Sequence, residues 1–251
     1  MWQKVQQIVT PTRYWRGWLG SLRTMSANSE PMSPSVGLGV IHLFCKTTPA
    51  YDAEAFVGAV KNAENAGVSV VTVAMLGHKA DIAVMATSAD MRPLKSLQTA
   101  LQHAGLSIAD SYVSLTEVSE YAKGVPQEML NARLYPQLPP PGKNAWCFYP
   151  MSKRREPEQN WFTLPFEKRS ELMMEHGKSG RTFAGRVVQV VTGSAGLDDY
   201  EWGVTLFAVN PDDLKEVVYT MRFDEASAVY AEFGPFYTGM VTPVEQLAQQ
   251  I

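Results

Sequence analysis

Residues 77–86, Gly-His-Lys-Ala-Asp-Ile-Ala-Val-Met-Ala, have a counterpart in residues 196–208, Gly-Leu-Asp-Asp-Tyr-Glu-Trp-Gly-Val-Thr-Leu-Phe-Ala. Each stretch starts at a glycine and runs into an apolar strand pattern. Each is followed by a helical pattern, at residues 89–97 (Ala-Asp-Met-Arg-Pro-Leu-Lys-Ser-Leu) and 210–218 (Asn-Pro-Asp-Asp-Leu-Lys-Glu-Val-Val). The chain therefore repeats one order of strand and helix.

The same change of apolar period extends this repeat in both directions. In the first half it predicts a strand at 36–46, a helix at 51–66, strands at 68–76 and 80–87, a helix at 89–104 and a strand at 106–118. In the second half it predicts a strand at 145–149, a helix at 165–176 that ends at Gly177, strands at 186–192 and 201–209, a helix at 211–221 and a last strand near 230–237.

The order β-α-β-β-α-β, occurring twice, predicts an α+β fold. We expect two ferredoxin-like βαββαβ units whose antiparallel sheets pack face to face as a dimeric α+β barrel. The predicted segments are a disordered basic and aromatic extension at 1–34, one ferredoxin-like domain at 35–135, a Pro-rich linker at 136–144 and a second ferredoxin-like domain at 145–251. The fold alone says nothing about chemistry.

Composition limits the partners. The chain has 251 residues, of which 45% are hydrophobic, and a formal net charge of −3. This charge gives no bulk attraction to nucleic acid or to an anionic membrane, and no apolar run approaches the roughly 18 to 20 residues of a membrane span. The two cysteines, Cys45 and Cys147, lie in apolar runs, so we expect buried thiols in the cytoplasm; a disulfide between them is the alternative.

The first 29 residues have no acidic residue and contain four tryptophan or tyrosine residues beside four basic ones. They lack the apolar segment of a secretory signal. One interpretation is a transit-like or membrane-surface segment. The other, which we favour, is a disordered extension or a sequence translated from a start upstream of Met25 or Met32.

The chain has four histidines and no HExxH or paired CxxC spacing, which argues against a mononuclear zinc hydrolase. A strand, a hairpin turn and a helix end account for His42, His78 and His103. His176 also precedes a glycine at the end of a predicted helix. The pattern therefore leaves its role open between a helix-end residue and a haem ligand.

Residues 146–155, Trp-Cys-Phe-Tyr-Pro-Met-Ser-Lys-Arg-Arg, place a phenol beside a cluster of cations. Such a cluster binds carboxylates through charge-assisted hydrogen bonds, although a solvated basic loop is the more common occurrence. Residues 192–199 resemble a phosphate loop but lack its Gly-Lys-Ser/Thr ending, so we interpret them as a turn.

Five motifs in the second half resemble the coproheme decarboxylases of the chlorite dismutase superfamily, in the same order and spacing. They are Tyr-Pro-Met-Ser-Lys-Arg-Arg (149–155), Glu-His-Gly-Lys-Ser-Gly-Arg (175–181), the run 187–204, Met-Arg-Phe-Asp-Glu-Ala-Ser (221–227) and Glu-Phe-Gly-Pro-Phe-Tyr-Thr-Gly (232–239). The first half is similar more weakly, through residues 110–121 and 132–136.

The resemblance implies roles for individual residues. His176 corresponds to the proximal iron ligand and Tyr149 to a redox-active tyrosine near a reactive propionate. Lys153 corresponds to the basic residue that orients propionates, Met151 to part of the same wall and Gln189 to the distal position above the iron. Chlorite-degrading relatives have arginine at that distal position. The positions that match groups hydrogen-bonded to the remaining propionates are Arg133, Tyr112, Ser114, Arg222 and Ser227.

The resemblance also implies an activity. Iron coproporphyrin III (coproheme) serves as substrate and redox centre, hydrogen peroxide is the oxidant, and haem b is the product of two decarboxylations. The implied partners are identical subunits in a pentamer and a ferrochelatase that supplies the substrate. Two alternatives are a haem peroxidase or chlorite dismutase-like enzyme, and a non-catalytic haem carrier or sensor.

Overall fold

The computed structural model describes residues 30–251, and the expectations for the first 29 residues lie outside this part of the chain. Its first half has the predicted order of elements, each within a few residues of the expected bounds. These are β1 (Gly39–Thr47), α1 (Ala53–Asn65), β2 (Ser69–Leu76), β3 (Ile82–Ser88), α2 (Met91–His103) and β4 (Leu106–Thr116). Asp52 and Asp90 cap the two helices by accepting hydrogen bonds from backbone N–H groups of the first turn.

The second half follows the same plan with additional short elements. In chain order they are α3 (Gln127–Leu134), β5 (Ala145–Lys153), β6 (Arg155–Glu156), β7 (Gln159–Asn160), a 3-10 helix (Trp161–Thr163), α4 (Phe166–Arg181), β8 (Val187–Gly193), β9 (Trp202–Ala208), α5 (Pro211–Met221), α6 (Glu225–Ala228), β10 (Ala231–Phe233), β11 (Tyr237–Val241) and α7 (Val244–Leu247).

Eight strands close into a barrel. Their order is β5-β11-β2-β3-β1-β4-β8-β9, and β9 pairs again with β5; β10 pairs with the end of β5. The two halves meet at two seams, where Thr238 lies opposite Leu76 and where Leu115 lies opposite Gly193. Closure leaves the eight strands of the ring with hydrogen-bonded neighbours on both sides. The predicted α+β barrel is confirmed, whereas the division into separate domains stays a prediction.

Alternation along the strands divides the apolar residues among three regions. The barrel interior contains large aromatic side chains, among them Phe44, Trp146, Phe148 and Phe207. On the outside, α1 and α2 cover the strands of the first half. The outer face of β5 and β9 packs against α5 and contains Tyr149. Adjacent residues of β5 therefore belong to different environments.

Three predicted boundaries are wrong. The strand predicted at 145–149 continues to Lys153. The helix that contains His176 does not end at Gly177 but continues to Arg181. An internal glycine lowers the stability of a helix by only about 1 kcal/mol. The positive charges of Lys178 and Arg181 in the last turn interact favourably with the negative end of the helix dipole. The last predicted strand is two strands, β10 and β11, separated by residues 234–236.

Both cysteines are buried and free, as expected for thiols. None of the helices in residues 30–251 combines the length and apolar character that crossing a membrane requires.

Candidate active site

The outer face of β5 brings three of the predicted site residues together. Tyr149, Met151 and Lys153 alternate with inward-facing residues and point to the side that contains α4, α5 and α6. On the neighbouring strand, Val204 lies opposite Tyr149 and Trp202 lies opposite Met151. A phenol, a thioether and an ammonium group are therefore spaced along one strand.

Tyr149 is 5% exposed and its ring stacks on Phe236, with centroids 4.5 Å apart. Phe233 lies beside the same ring, at 5.7 Å. Burial raises the pKa of the Tyr149 phenol, the nearby Cys147 raises it further, and the positive charge of Arg222 opposes the rise. The phenol therefore keeps its hydrogen atom at neutral pH.

His176 lies inside α4, where its ring meets the start of α6. The imidazole Nδ1 is 3.0 Å from Oδ2 of Asp224, and the Ser227 hydroxyl oxygen is 3.4 Å from the same nitrogen. Asp224 also caps α6 by accepting the backbone N–H of Ser227. Because the capping residue is fixed by the helix that it starts, the imidazole has a fixed orientation.

The pKa of Asp224 indicates which atoms of the His176–Asp224 pair carry hydrogen. Burial alone would raise its pKa, but the hydrogen bonds and charge of His176 and the hydrogen bonds from Ser227 outweigh burial and hold that pKa below its usual value. An ionised carboxylate only accepts hydrogen bonds, so Nδ1 of His176 donates. In the neutral imidazole, the other ring nitrogen, Nε2, then presents its lone pair, as in histidines that bind metals.

Lys153 is a buried cation, 7% exposed. Its Nζ donates a hydrogen bond of 2.5 Å to the Ala226 carbonyl and lies 4.3 Å from the centre of the Trp161 ring. Burial lowers the pKa of Lys153 to about 8, against the opposing influence of Asp224 and Glu201. Within residues 30–251 this ammonium group forms no ion pair.

Strand β8 contributes exposed side chains to the same outer face. Gln189 lies opposite Leu206 of β9 and is exposed, and Val191 is 41% exposed. Their inward-facing neighbour Val190 is buried in the barrel. A strip of the outer face along β8 is therefore open to a ligand, with a neutral amide on it.

Three other predicted residues lie near this group or outside it. The guanidinium of Arg222, at the end of α5, lies 4.1 Å from the centre of the Phe233 ring, which also borders Tyr149. Ser227 is next to the His176 imidazole rather than at the β5 phenol. Arg133 is exposed on α3.

Tyr112 and Ser114 do not join the outer face. Both are buried inside the barrel, where the Tyr112 hydroxyl and Ser194 share a hydrogen bond and the Tyr112 ring lies 5.3 Å from that of Phe148. Phe148 and Tyr149 point to opposite sides of the sheet. The expected contact of Tyr112 and Ser114 with propionates does not agree with this position, because the sheet separates them from Tyr149.

The buried histidine of the described residues, His42, is not a comparable ligand. His42 lies inside the barrel, with Nε2 2.9 Å from the Thr205 hydroxyl and its ring against Phe148. Burial lowers the pKa of His42 to about 3, so it is neutral. No three His, Cys, Asp or Glu residues of the described chain are grouped to hold a metal ion among themselves. A single imidazole whose Nδ1 is held by a carboxylate, as in His176, is the kind of ligand that haem iron takes.

Two cavities border the site. One of about 430 Å³ is lined by Trp202 and by residues that follow β4, including Glu117, whose carboxylate accepts the indole N–H at 3.0 Å. The other, of about 350 Å³, is lined by Asp224, Tyr219 and Phe223. Neither cavity is lined by Tyr149 or Lys153, so volume alone does not locate the site.

Sequence reasoning missed three residues of the site: Asp224, Trp161 and Phe236. A signal exists for Asp224, since Asp is one of the residues preferred at the N-cap of a helix. The fold brings Trp161 into contact with Lys153, and it brings Phe236 into contact with Tyr149. The sequence gives no sign of either contact.

Comparisons with known proteins identify the family of the chain. A family model described as chlorite dismutase matches residues 49–242. A coproheme decarboxylase from Staphylococcus carnosus (strain TM300) is 47% identical over an alignment of 183 residues, with 68% of this chain and 72% of that protein covered.

Two solved structures are similar over most of the chain. A heme-binding protein from Thermus thermophilus has a TM-score of 0.77 and 35% identity, covering 89% of this chain and 99% of its own. A mutant chlorite dismutase from Candidatus Nitrospira defluvii has a TM-score of 0.69 at 17% identity, covering 86% and 96%, which shows the shared fold alone. On the family match and the 47% identity, this chain belongs to the chlorite dismutase family.

Proposed function

We propose that this chain uses hydrogen peroxide to decarboxylate two propionates of iron coproporphyrin III to vinyl groups, which gives haem b. The similarity to a coproheme decarboxylase supports the substrate and the reaction. The heme-binding neighbour supports a porphyrin ligand.

The observation that carries the proposal is the buried ammonium of Lys153 on the same strand face as the Tyr149 phenol. A buried charge without an ionic partner is costly, so sites of this kind are completed by a ligand of opposite charge. A propionate of the substrate supplies that charge. The phenol, four residues earlier on the same face of the strand, then lies near the same propionate.

His176 would hold the iron through Nε2, with Asp224 fixing its tautomer. Peroxide would bind where the protein supplies no ligand to the iron, and Gln189 on the exposed strip of β8 would contribute a neutral amide there. Met151 would contact the ring, and Arg222, Arg133 and Ser227 would donate hydrogen bonds to the remaining propionates. Tyr112 and Ser114 are left out of this set, because they lie inside the barrel.

Peroxide cleavage at the iron supplies the oxidising equivalents. Tyr149 gives up its phenolic hydrogen and, as a radical, takes a hydrogen atom from the β-carbon of the nearby propionate. Loss of a second electron and of carbon dioxide leaves the vinyl group, and one peroxide becomes two waters in each round. Lys153 binds and orients the carboxylate, because hydrogen abstraction needs the reacting atoms within roughly 3 to 3.5 Å.

Gln189 distinguishes this reaction from the alternatives. A neutral amide cannot serve as acid or base beside bound peroxide, so a general peroxidase or chlorite-degrading activity would be slow. A haem carrier or sensor needs neither a phenol nor a buried ammonium at this spacing.

One experiment separates the three functions. Iron coproporphyrin III is bound to the protein, and dilute peroxide is added in the presence of a small phenol that a peroxidase could oxidise. The porphyrin and the phenol are then separated, and the mass of each is measured by mass spectrometry. The proposal predicts two successive losses of carbon dioxide and two hydrogen atoms. A peroxidase would oxidise the added phenol and leave all propionates, and a carrier would change neither.

We further propose a closed ring of identical subunits, a pentamer, in the cytoplasm, since symmetric assemblies are the most common oligomers. A ferrochelatase that inserts iron into coproporphyrin would be the upstream partner. Gel filtration with light scattering tests the subunit number.

A further inference from the structure

The ammonium of Lys153 has two contacts that the proposed reaction does not explain. One is the face of Trp161, 4.3 Å from Nζ to the ring centre, and the other is the carbonyl oxygen of Ala226, 2.5 Å away. An ammonium group has three donors, and the contact with an aromatic face uses none of them in a directed hydrogen bond. Two donors therefore stay available for a carboxylate.

Trp161 is itself fixed. It is 3% exposed, its backbone N–H donates to the Arg154 carbonyl at 2.9 Å, and its ring meets Tyr230 edge-on at 5.5 Å. Arg154 follows Lys153 directly and donates its backbone N–H to the Tyr230 carbonyl at 2.8 Å. The indole is thus connected by backbone hydrogen bonds to the strand that contains Lys153.

The short helix α6 connects Lys153 to the proposed iron ligand. Asp224 at its N-terminus accepts the hydrogen bond of His176, and Ala226 within it accepts that of Lys153. Both hydrogen bonds are made by groups only two residues apart. The separation between the imidazole and the ammonium is therefore set by one rigid turn.

We propose that Trp161 is a positioning residue that holds the Lys153 ammonium between its ring and the Ala226 carbonyl, so that the two remaining donors face a substrate carboxylate. This role rests on the proposed function and acts only through Lys153. It predicts that Trp161 affects the reaction more than porphyrin binding, because the indole contacts the Lys153 ammonium directly but reaches α4 and α6 only through the apolar side chains of Leu172 and Ala226.

The first test needs no porphyrin. Lysine is labelled with carbon-13, and the Cε methylene signal of Lys153 is assigned by its disappearance in Lys153→Met. In the native protein the indole ring current should shift this signal upfield of the Cε methylene signals of the other lysines. In Trp161→Leu the signal should move back into the range of the other lysines. An unshifted signal in the native protein would overturn the proposal and leave the proposed reaction untouched.

The second test is a double-mutant cycle on the decarboxylation rate. Trp161→Leu should lower kcat by about 2- to 30-fold, the range that a cation–π contact provides, with porphyrin affinity changed less than kcat. Trp161→Phe keeps an aromatic face and should restore much of the rate. In the Lys153→Met background, Trp161→Leu should have no further effect.

Equal effects of Trp161→Leu with and without Lys153 would contradict the proposal, since the indole would then act independently. If Trp161→Leu does not fold, the effect of Trp161→Phe on the rate is compared with and without Lys153. Equal effects in the two backgrounds would again contradict the proposal. If native protein shows no decarboxylation at all, the proposed function fails, whereas the carbon-13 shift still tests the placement of Lys153.

Discussion

Nδ1 of His176 and Oδ2 of Asp224 lie 3.0 Å apart, across the junction of α4 and α6. The carboxylate is 2% exposed and also caps α6, so it cannot leave the imidazole without loosening that helix. The pair fixes which ring nitrogen is protonated and gives the free nitrogen a constant direction.

Asp224→Asn tests this pair, because asparagine is an equally good helix cap but carries no charge. We expect the helix to persist and the iron ligand to become less basic, which should weaken porphyrin binding by about 10-fold or more. Resonance Raman spectroscopy of the ferrous complex should show a lower iron–histidine stretching frequency. An unchanged frequency together with unchanged affinity would argue against His176 as the ligand.

Tyr149→Phe removes one oxygen atom from a ring that stays stacked on Phe236. The thermal midpoint of unfolding and the porphyrin affinity should therefore change little, while both decarboxylations stop. Chromatography of the porphyrin after peroxide addition measures the outcome. Normal turnover in this variant would refute the radical role of Tyr149.

Phe236→Leu tests what orients that ring. Loss of the stacked partner should cost about 1 kcal/mol of unfolding free energy and allow Tyr149 to rotate. The rate should fall at nearly constant porphyrin affinity, and the radical trapped by rapid freezing should give a broader electron paramagnetic resonance signal. Phe166→Leu, a change at a partly exposed ring that stacks on Tyr121 at the start of α4, is the matched control. An equal loss of rate in both variants would remove the specific role of Phe236.

Lys153 predicts a pH dependence of stability. Its pKa falls from 10.5 to about 8 on burial, so between these values the unfolded chain holds a proton that the folded chain has released. Because of this residue, the free energy of unfolding rises with pH across that window, by up to about 3 kcal/mol. Below the window both states are protonated, so the residue causes no change of stability with pH.

Urea unfolding of the native protein and of Lys153→Met, compared at several pH values, isolates this contribution because other titrating groups are common to both. The native protein should gain stability relative to the variant as pH rises from about 8 to 10.5. A constant difference across that window would mean that the ammonium is not buried as described.

The fold could be predicted because the apolar periods repeat. The strand at 80–87 and its counterpart at 201–209 were recognisable from alternation and from their turn glycines, and both form close to the expected bounds. The end of α4 could not be predicted in this way. A glycine after His176 is a typical stop signal, and the cations that favour continuation to Arg181 are a weaker one.

The site could be predicted only in part, for a reason that lies in strand geometry. Alternation indicates that Tyr112 and Ser114 share one side of β4, but not whether that side faces the interior or the ligand. Pairing with the other strands decides this: both side chains are buried inside the barrel, and the Tyr112 ring lies beside Phe148. Likewise, the contact of Asp224 with His176, 48 residues away, is not encoded in a local pattern. The contact of Trp161 with Lys153 forms because the β6–β7 hairpin turns the chain back.

The most direct test of the whole account is a crystal structure of the protein with iron coproporphyrin III bound and no peroxide added. We expect Nε2 of His176 on the iron, and the Tyr149 phenol oxygen within about 3.5 Å of a propionate that also contacts Lys153. Iron bound by another residue, or a porphyrin whose propionates all lie away from Tyr149, would contradict it.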